Sequence, residues 1–207
     1  EIDRLHGAPG HAWLATVPDT LRRLAELWSL RVSGPPRHGA HGLVIPVERA
    51  QTLMALKLVP RDAVTATEVA GLHAWDGHGC VQLLAVDEDA GALLMEWLDA
   101  GRDLTSLQID HAVTEAGRLT RHLAIPPPDP VSFPTSSDRA RGITRTLAGR
   151  WETAGHPFAR TLLMRLQDLA ASLANEHPPL LATWDLHSEN VLWGDRAGWT
   201  MIDPMPM

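Results

Sequence analysis

The stretch Leu180-Leu181-Ala182-Thr183-Trp184-Asp185-Leu186-His187-Ser188-Glu189-Asn190-Val191-Leu192-Trp193, followed by Trp199-Thr200-Met201-Ile202-Asp203-Pro204, decides the reading of this chain. Its polar skeleton is Asp-x-x-x-x-Asn, then an Asp behind a short apolar run. Taken alone, such a spacing is commonly a solvated loop or a helix cap. The apolar flanks argue for more. Val191–Trp193 and Trp199–Ile202 read as a hairpin, which returns Asp203 to the edge where a short loop brings Asp185 and Asn190 together. Two carboxylates and an amide are the set that phosphoryl transfer requires. One group accepts the proton of an incoming hydroxyl, and hard oxygen ligands hold magnesium on the phosphates.

Working outward, the residues before Leu180 divide into two characters. Leu21, Leu24, Leu27, Trp28 and Leu30 recur at helical spacing behind Pro18-Asp19 and predict an amphipathic helix over 19–30. Turn formers fill 33–42. The runs 42–47 and 52–59 then predict a hairpin, 63–75 a helix, and 81–86 and 92–98 two more strands joined by the acidic turn at 87–91. Beyond Leu98 the pattern is helical over 104–123, broken by the proline-rich connector 126–137, and helical again over 138–155 and 157–176. The fold class expected is α+β, with a small mixed β-sheet in residues 1–98, a mainly helical part in 99–207, and a cleft between them.

Composition bounds the function classes. With 207 residues, 44% of them hydrophobic, the chain can build a substantial core. Lys and Arg number 18 against 25 Asp and Glu, a formal charge of −7, with no dense basic run. Nucleic acid is not an expected partner. No apolar run is long enough for a membrane span, and the start Glu1-Ile2-Asp3 lacks the pattern of a signal peptide, so a cytoplasmic protein is expected and a membrane is not. The missing initiator Met suggests a trimmed version of something longer. A single cysteine, Cys80, excludes an internal disulfide. His73, His78 and Cys80 lack a fourth ligand for a soft-metal site and read as a helix end leading into a strand. The eight Trp residues are read as core by default. Oligomeric state is not encoded in any of these features.

Asp185-Leu186-His187, Asn190-Val191-Leu192, Trp199 and Ile202-Asp203-Pro204 occur in an order that resembles the aminoglycoside and hydroxyurea kinase group, within the aminoglycoside phosphotransferase branch of the protein-kinase-like superfamily. The likeness extends to Ala12-Trp13-Leu14-Ala15, Trp28, Ala55-Leu56-Lys57-Leu58 and Leu94-Met95-Glu96-Trp97-Leu98. It implies a bilobal fold and an ATP-dependent, magnesium-dependent phosphotransferase acting on a hydroxyl of a small polar antibiotic. An aminoglycoside such as streptomycin is the leading acceptor, with hydroxyurea or another small molecule as alternative.

Carried over residue by residue, Asp185 is the catalytic Asp, Asn190 and Asp203 are magnesium ligands, and Lys57 touches the nucleotide phosphates. Glu68, on the helix after that strand, is placed to pair with Lys57. Backbone groups around Glu96, Trp97 and Leu98 are expected to bind the purine edge. His187 is expected to hydrogen-bond the loop backbone rather than act as a base. Thr183-Trp184 stand where the family usually has His-Gly, and Gly34, Gly39 and Gly42 do not spell G-x-G-x-x-G. Family members also continue beyond the counterpart of Met207, so the resemblance implies a C-terminally incomplete fold. A nucleotide-binding module without transfer activity, or a general interaction domain, are the competing readings.

Overall fold

The computed structural model describes residues 2–38, 42–60, 63–128, 133–173 and 180–207. Helix α1 (Ile2–Leu27) is kinked at Gly7, whose φ is 57°. It therefore starts well before the Pro18-Asp19 boundary expected from sequence and runs through Pro18. A proline inside a helix costs about 3 kcal/mol through its missing N–H and its ring clash. Here Trp13, Val17, Leu21 and Ala25 continue one apolar face, which packs with buried Leu24 on the sheet, and that burial outweighs the local penalty.

Strands β1 (Arg31–Val32) and β2 (Arg37–His38) both pair with β3 (Leu43–Arg49), which pairs with β4 (Thr52–Leu58). The β3–β4 turn places Ala50 and Gln51 at φ 49° and 67°, the left-handed geometry that matches strand twist in a two-residue hairpin. β1 and β2 escape sequence reading because each is two residues long and turn formers lie between them. Helix α2 (Ala63–Trp75), β5 (Leu83–Asp87) and β6 (Ala92–Glu96) follow as expected. The strand order is β1-β3-β4-β6-β5, with β2 beside β3.

The α+β class stands, but every ladder in this sheet is antiparallel where a mixed sheet was the expectation. The reason is the connection through α2. It carries the chain past the neighbour of β4 to the outer position, and the tight β5–β6 turn then returns β6 between them.

A second sheet orders as β7 (Asp99–Asp103), β8 (Val191–Gly194) and β9 (Gly198–Met201). β7 has no apolar alternation and is mostly exposed, so only its pairing with β8 defines it. The helix expected from Leu104 splits. Asp103 caps a single 3-10 turn at Leu104–Ser106, accepting from the Thr105 N–H at 2.8 Å, and α3 (Ile109–Leu123) begins only after an extended Leu107.

Helix α4 (Ser136–Thr153) starts two residues earlier than expected because Thr135 and Asp138 form a capping box. Helix α5 (Arg160–Leu173) starts after Pro157 rather than at it, and the expected end at Glu176 lies outside the described residues. Leu180–Thr183 is not a full strand but makes isolated bridges, Leu181 to Ile125 and Thr183 to Pro206.

One core cluster joins residues from both halves of the chain: Val69, Leu72 and Trp75 of α2, Leu93 and Met95 of β6, then Leu123, Leu181 and Met201. The Trp75 indole donates to the Leu123 carbonyl at 2.9 Å, closing a polar edge inside that core. Among the described residues, no helix is long and apolar enough to cross a membrane.

Candidate active site

Lys57 sits on β4, opposite Val44 of β3, with its side chain turned toward α2. It is 6% exposed, an environment an ammonium tolerates only with charged partners. Two are present: Lys57 Nζ lies 2.7 Å from Glu68 Oε1 and 2.6 Å from Asp203 Oδ1. Burial alone would depress the Lys57 pKa, but Glu68 and Asp203 together hold it above the ordinary lysine value. The pairing of Lys57 with Glu68, expected from sequence, is thus formed, and Asp203 joins it from 146 residues away.

Asp203 follows β9 at φ 50°, a left-handed conformation that Asp adopts more readily than most residues. The Ile202 N–H donates to the Asn190 carbonyl at 2.8 Å, which fixes Asn190 beside the Met201-Ile202 peptide, one residue before Asp203. Asn190 ends a 3-10 turn (Ser188–Asn190), and its side-chain Nδ2 donates to the Asp185 carbonyl at 3.3 Å. That bond spends the amide nitrogen on the loop and leaves the amide oxygen as the available donor to a cation.

Asp185 is held from behind. Its N–H lies 3.4 Å from Thr183 Oγ1, and the segment before it pairs with the residues after Asp203: Ala182 and Met207 exchange backbone bonds at 3.0 and 2.8 Å, and the Trp184 N–H donates to Met205 at 3.2 Å. The two acidic residues are therefore tied by a ladder that runs between them. The Asp185 carboxylate remains 42% exposed, open to a substrate.

His187 Nε2 stands 4.0 Å from Asp185 Oδ2, beyond hydrogen-bond reach. The ring does not tie the loop as expected; the His187 carbonyl does so, accepting from the Asn190 N–H at 3.0 Å.

In the segment Glu96-Trp97-Leu98, Glu96 engages its neighbours through both backbone and side chain. The Glu96 N–H donates to Gln82 at 3.1 Å, and its carboxylate accepts from the Gln82 N–H at 2.9 Å and from Arg196 at 2.6 and 3.0 Å. These bonds tie Glu96 to Gln82, the residue before β5, and to Arg196 in the β8–β9 turn. Trp97 and Leu98 link β6 to β7. Leu98 packs so closely on Gly194 that a Cβ there would come within 2.3 Å of Leu98 Cδ2.

Sequence reasoning missed Arg196, the partner of Glu96, and Arg139, which stacks on Trp184 beside Asp185. Both meet their partners through tertiary packing, and no local spacing signals either. Of the histidines and cysteine considered for a soft metal, His78 Nδ1 contacts the Trp75 carbonyl at 3.1 Å, and Cys80 is buried with its thiol pKa pushed up to about 12, mainly by burial. Residues 39–41 of the glycine-containing turn lie outside the described residues.

Asn190 and Asp203 offer hard oxygens, the donor type magnesium takes. Among the described residues no group of three or more His, Cys, Asp or Glu side chains stands together as a metal cage. Two protein donors fit a magnesium ion whose other ligands are phosphate oxygens and water.

Comparison with solved structures gives the fold. A thermostable mutant of aminoglycoside phosphotransferase APH(4)-Ia, in ternary complex with ADP and hygromycin B, superimposes with a TM-score of 0.58 at 14% identity, covering 90% of this chain and 71% of that one. Spectinomycin phosphotransferase APH(9)-Ia, in complex with ADP and spectinomycin, gives a TM-score of 0.51 at 16% identity, covering 90% and 69%. The architecture is that of the protein-kinase-like phosphotransferases.

Among sequence relatives, a hydroxyurea phosphotransferase of Kitasatospora aureofaciens is 42% identical over 212 aligned residues, which cover 99% of this chain and 61% of that protein. A streptomycin 6-kinase of Streptomyces griseus is 36% identical over 208, covering 99% and 67%. The chain thus spans about three fifths to two thirds of the length of these relatives. The family model for aminoglycoside/hydroxyurea antibiotic resistance kinases matches residues 27–207, and the chain belongs to that family.

Proposed function

We propose that this chain carries the nucleotide and catalytic machinery of a kinase that moves the γ-phosphoryl group of ATP to a hydroxyl of a small polar antibiotic, with streptomycin as the leading acceptor. The observation that carries this reading is the convergence of Lys57, Glu68 and Asp203 in one ion-paired cluster, with Asn190 bonded to Ile202, the residue before Asp203, and Asp185 on the adjoining loop. Residues 1–98 would hold the nucleotide and 99–207 the catalytic loop.

In this arrangement Lys57, oriented by Glu68, binds phosphate oxygens as a fixed point charge. Asn190 and Asp203 would hold magnesium, which when bound neutralises charge on the phosphates. Trp97 and Leu98 present peptide groups to the base. Asp185, exposed at its carboxylate, accepts a hydrogen bond from the acceptor hydroxyl, orients its oxygen toward the phosphoryl group and receives its proton.

The test is a magnesium-ATP phosphorylation assay with streptomycin and hydroxyurea as acceptors, run on this chain and on a version extended to the length of its relatives. Asp185→Ala in the active version is expected to lower turnover by roughly 10²- to 10⁴-fold with nucleotide affinity preserved. Unchanged turnover would remove Asp185 from the chemistry. Hydroxyurea is the second acceptor to weigh, because the hydroxyurea phosphotransferase is 42% identical to this chain against 36% for the streptomycin kinase. The ratio of the two kcat/KM values decides between them.

A further inference from the structure

Trp184 occupies the position directly before Asp185, where a large side chain would be expected to disturb a catalytic loop. Instead one face of its ring is stacked, while the residue as a whole remains 40% exposed. The Arg139 guanidinium carbon lies 3.3 Å from the centre of the Trp184 ring, within the range of direct cation–π stacking. Arg139 arrives there from the first turn of α4, and that turn is fixed at its start. Thr135 Oγ1 accepts from the Asp138 N–H at 3.1 Å, and the Asp138 carboxylate accepts from the Thr135 N–H at 3.0 Å.

The arginine is not held by ordinary bonds. Its Nε is buried without a hydrogen-bond partner, a cost that a merely decorative surface arginine would avoid by turning into water. Burial lowers the Arg139 pKa, and the Asp185 carboxylate is the charge that opposes the shift, so the two side chains sense each other electrostatically. Arg139 thus touches the loop through the Trp184 ring and feels the Asp185 charge without forming an ion pair with it.

We propose that Arg139 is a positioning residue for phosphoryl transfer, which clamps Trp184 and thereby fixes the pose of the Asp185 carboxylate. The inference rests on the function proposed above and adds a role that none of the catalytic-loop residues supplies. The clamp runs from the Thr135–Asp138 capping box through Arg139 and Trp184 to Asp185. Nothing in it requires Arg139 to touch nucleotide or acceptor.

The clamp is tested with Arg139→Met, Trp184→Ala, the double variant and Trp184→Phe in the active protein. Each of the first two is expected to lower kcat about tenfold, with KM for the acceptor and affinity for magnesium-ATP little changed. The double variant should also lose only about tenfold in total, not a hundredfold, because both singles break the same contact. Trp184→Phe, which keeps an aromatic face, should stay within about threefold of the parent. Amide hydrogen exchange over residues 183–190 should quicken equally in Arg139→Met and Trp184→Ala and remain near the parent's rate in Trp184→Phe.

Additive losses, an intact kcat in Arg139→Met, or a rise confined to acceptor KM would overturn the clamp, the last by making Arg139 an acceptor contact. Hydrogen exchange reads the clamp even if the parent phosphorylates neither acceptor. In that case the functional reading fails while the positioning of the loop is still decided.

Discussion

At the scale of single residues, Lys57 is where stability and chemistry share one side chain. Its counter-charges differ in setting: the Glu68 side chain is 6% exposed and that of Asp203 38%. Removing the ammonium leaves the Glu68 charge buried, a change that typically costs 3 to 5 kcal/mol, whereas Asp203 can turn to water. Lys57→Met is therefore expected to lower the urea midpoint by an amount equivalent to about 3 kcal/mol. Lys57→Met combined with Glu68→Leu should recover most of that, since apolar replacement of a buried pair is often neutral, yet nucleotide affinity should stay lost. A double variant as unstable as the single would show that the buried charge is not the cause.

The sign of the pH dependence follows from the raised pKa of Lys57. The cation's contribution is fully present below the ordinary lysine value of 10.5 and fades only as pH climbs through the higher folded value. Across the neutral range the cluster should hold Lys57 charged, which is the state the proposed phosphate contact requires.

At the scale of elements, α2 is the part that positions Glu68, and its distance from the catalytic segment is set by one glycine. A Cβ on Gly71 would lie 2.4 Å from Cγ of Pro206 and 3.0 Å from the Trp75 ring, so the helix rests directly on the residues that follow Asp203. Gly117 of α3 provides the contrast, with nothing within 4 Å of the same added atom. Alanine normally gains about 0.5 to 1 kcal/mol over glycine inside a helix, and Gly117→Ala should show that gain. Gly71→Ala should reverse it, destabilising by about 1 to 3 kcal/mol as the proline ring and the helix are forced apart, and it should weaken nucleotide binding by moving Glu68 from Lys57. Equal gains at both sites in thermal melts would mean that α2 does not seat on Pro206.

At the scale of the whole molecule, what was legible followed the range of the interaction that made it. The β3–β4 hairpin, α2 and the β8–β9 return are set by apolar runs and nearby turns, and sequence located them. The closeness of Asp185, Asn190 and Asp203 was legible because their flanks fix a local loop and hairpin. β7 exists only through its partner β8, and the passage of α1 through Pro18 is decided by a sheet that has not yet been made when the residues are read in order. Arg139 and Arg196 belong to that second kind: each meets its partner across 45 to 100 residues, through packing alone. The same long-range closure makes a thermodynamic prediction. The cluster joins β4, α2 and the end of β9, so a ligand bridging them should stabilise the molecule as a unit. At a hundred times its dissociation constant, magnesium-ATP should add about 2.7 kcal/mol, which for a chain of this size raises Tm by roughly 5 to 10 °C. In EDTA the nucleotide alone should give a smaller shift, and Asp203→Asn should erase the difference between the two conditions, because the carboxylate that would hold the ion is gone. A nucleotide shift of the same size with and without magnesium in the parent would take Asp203 out of the metal site and leave it as a partner of Lys57 alone.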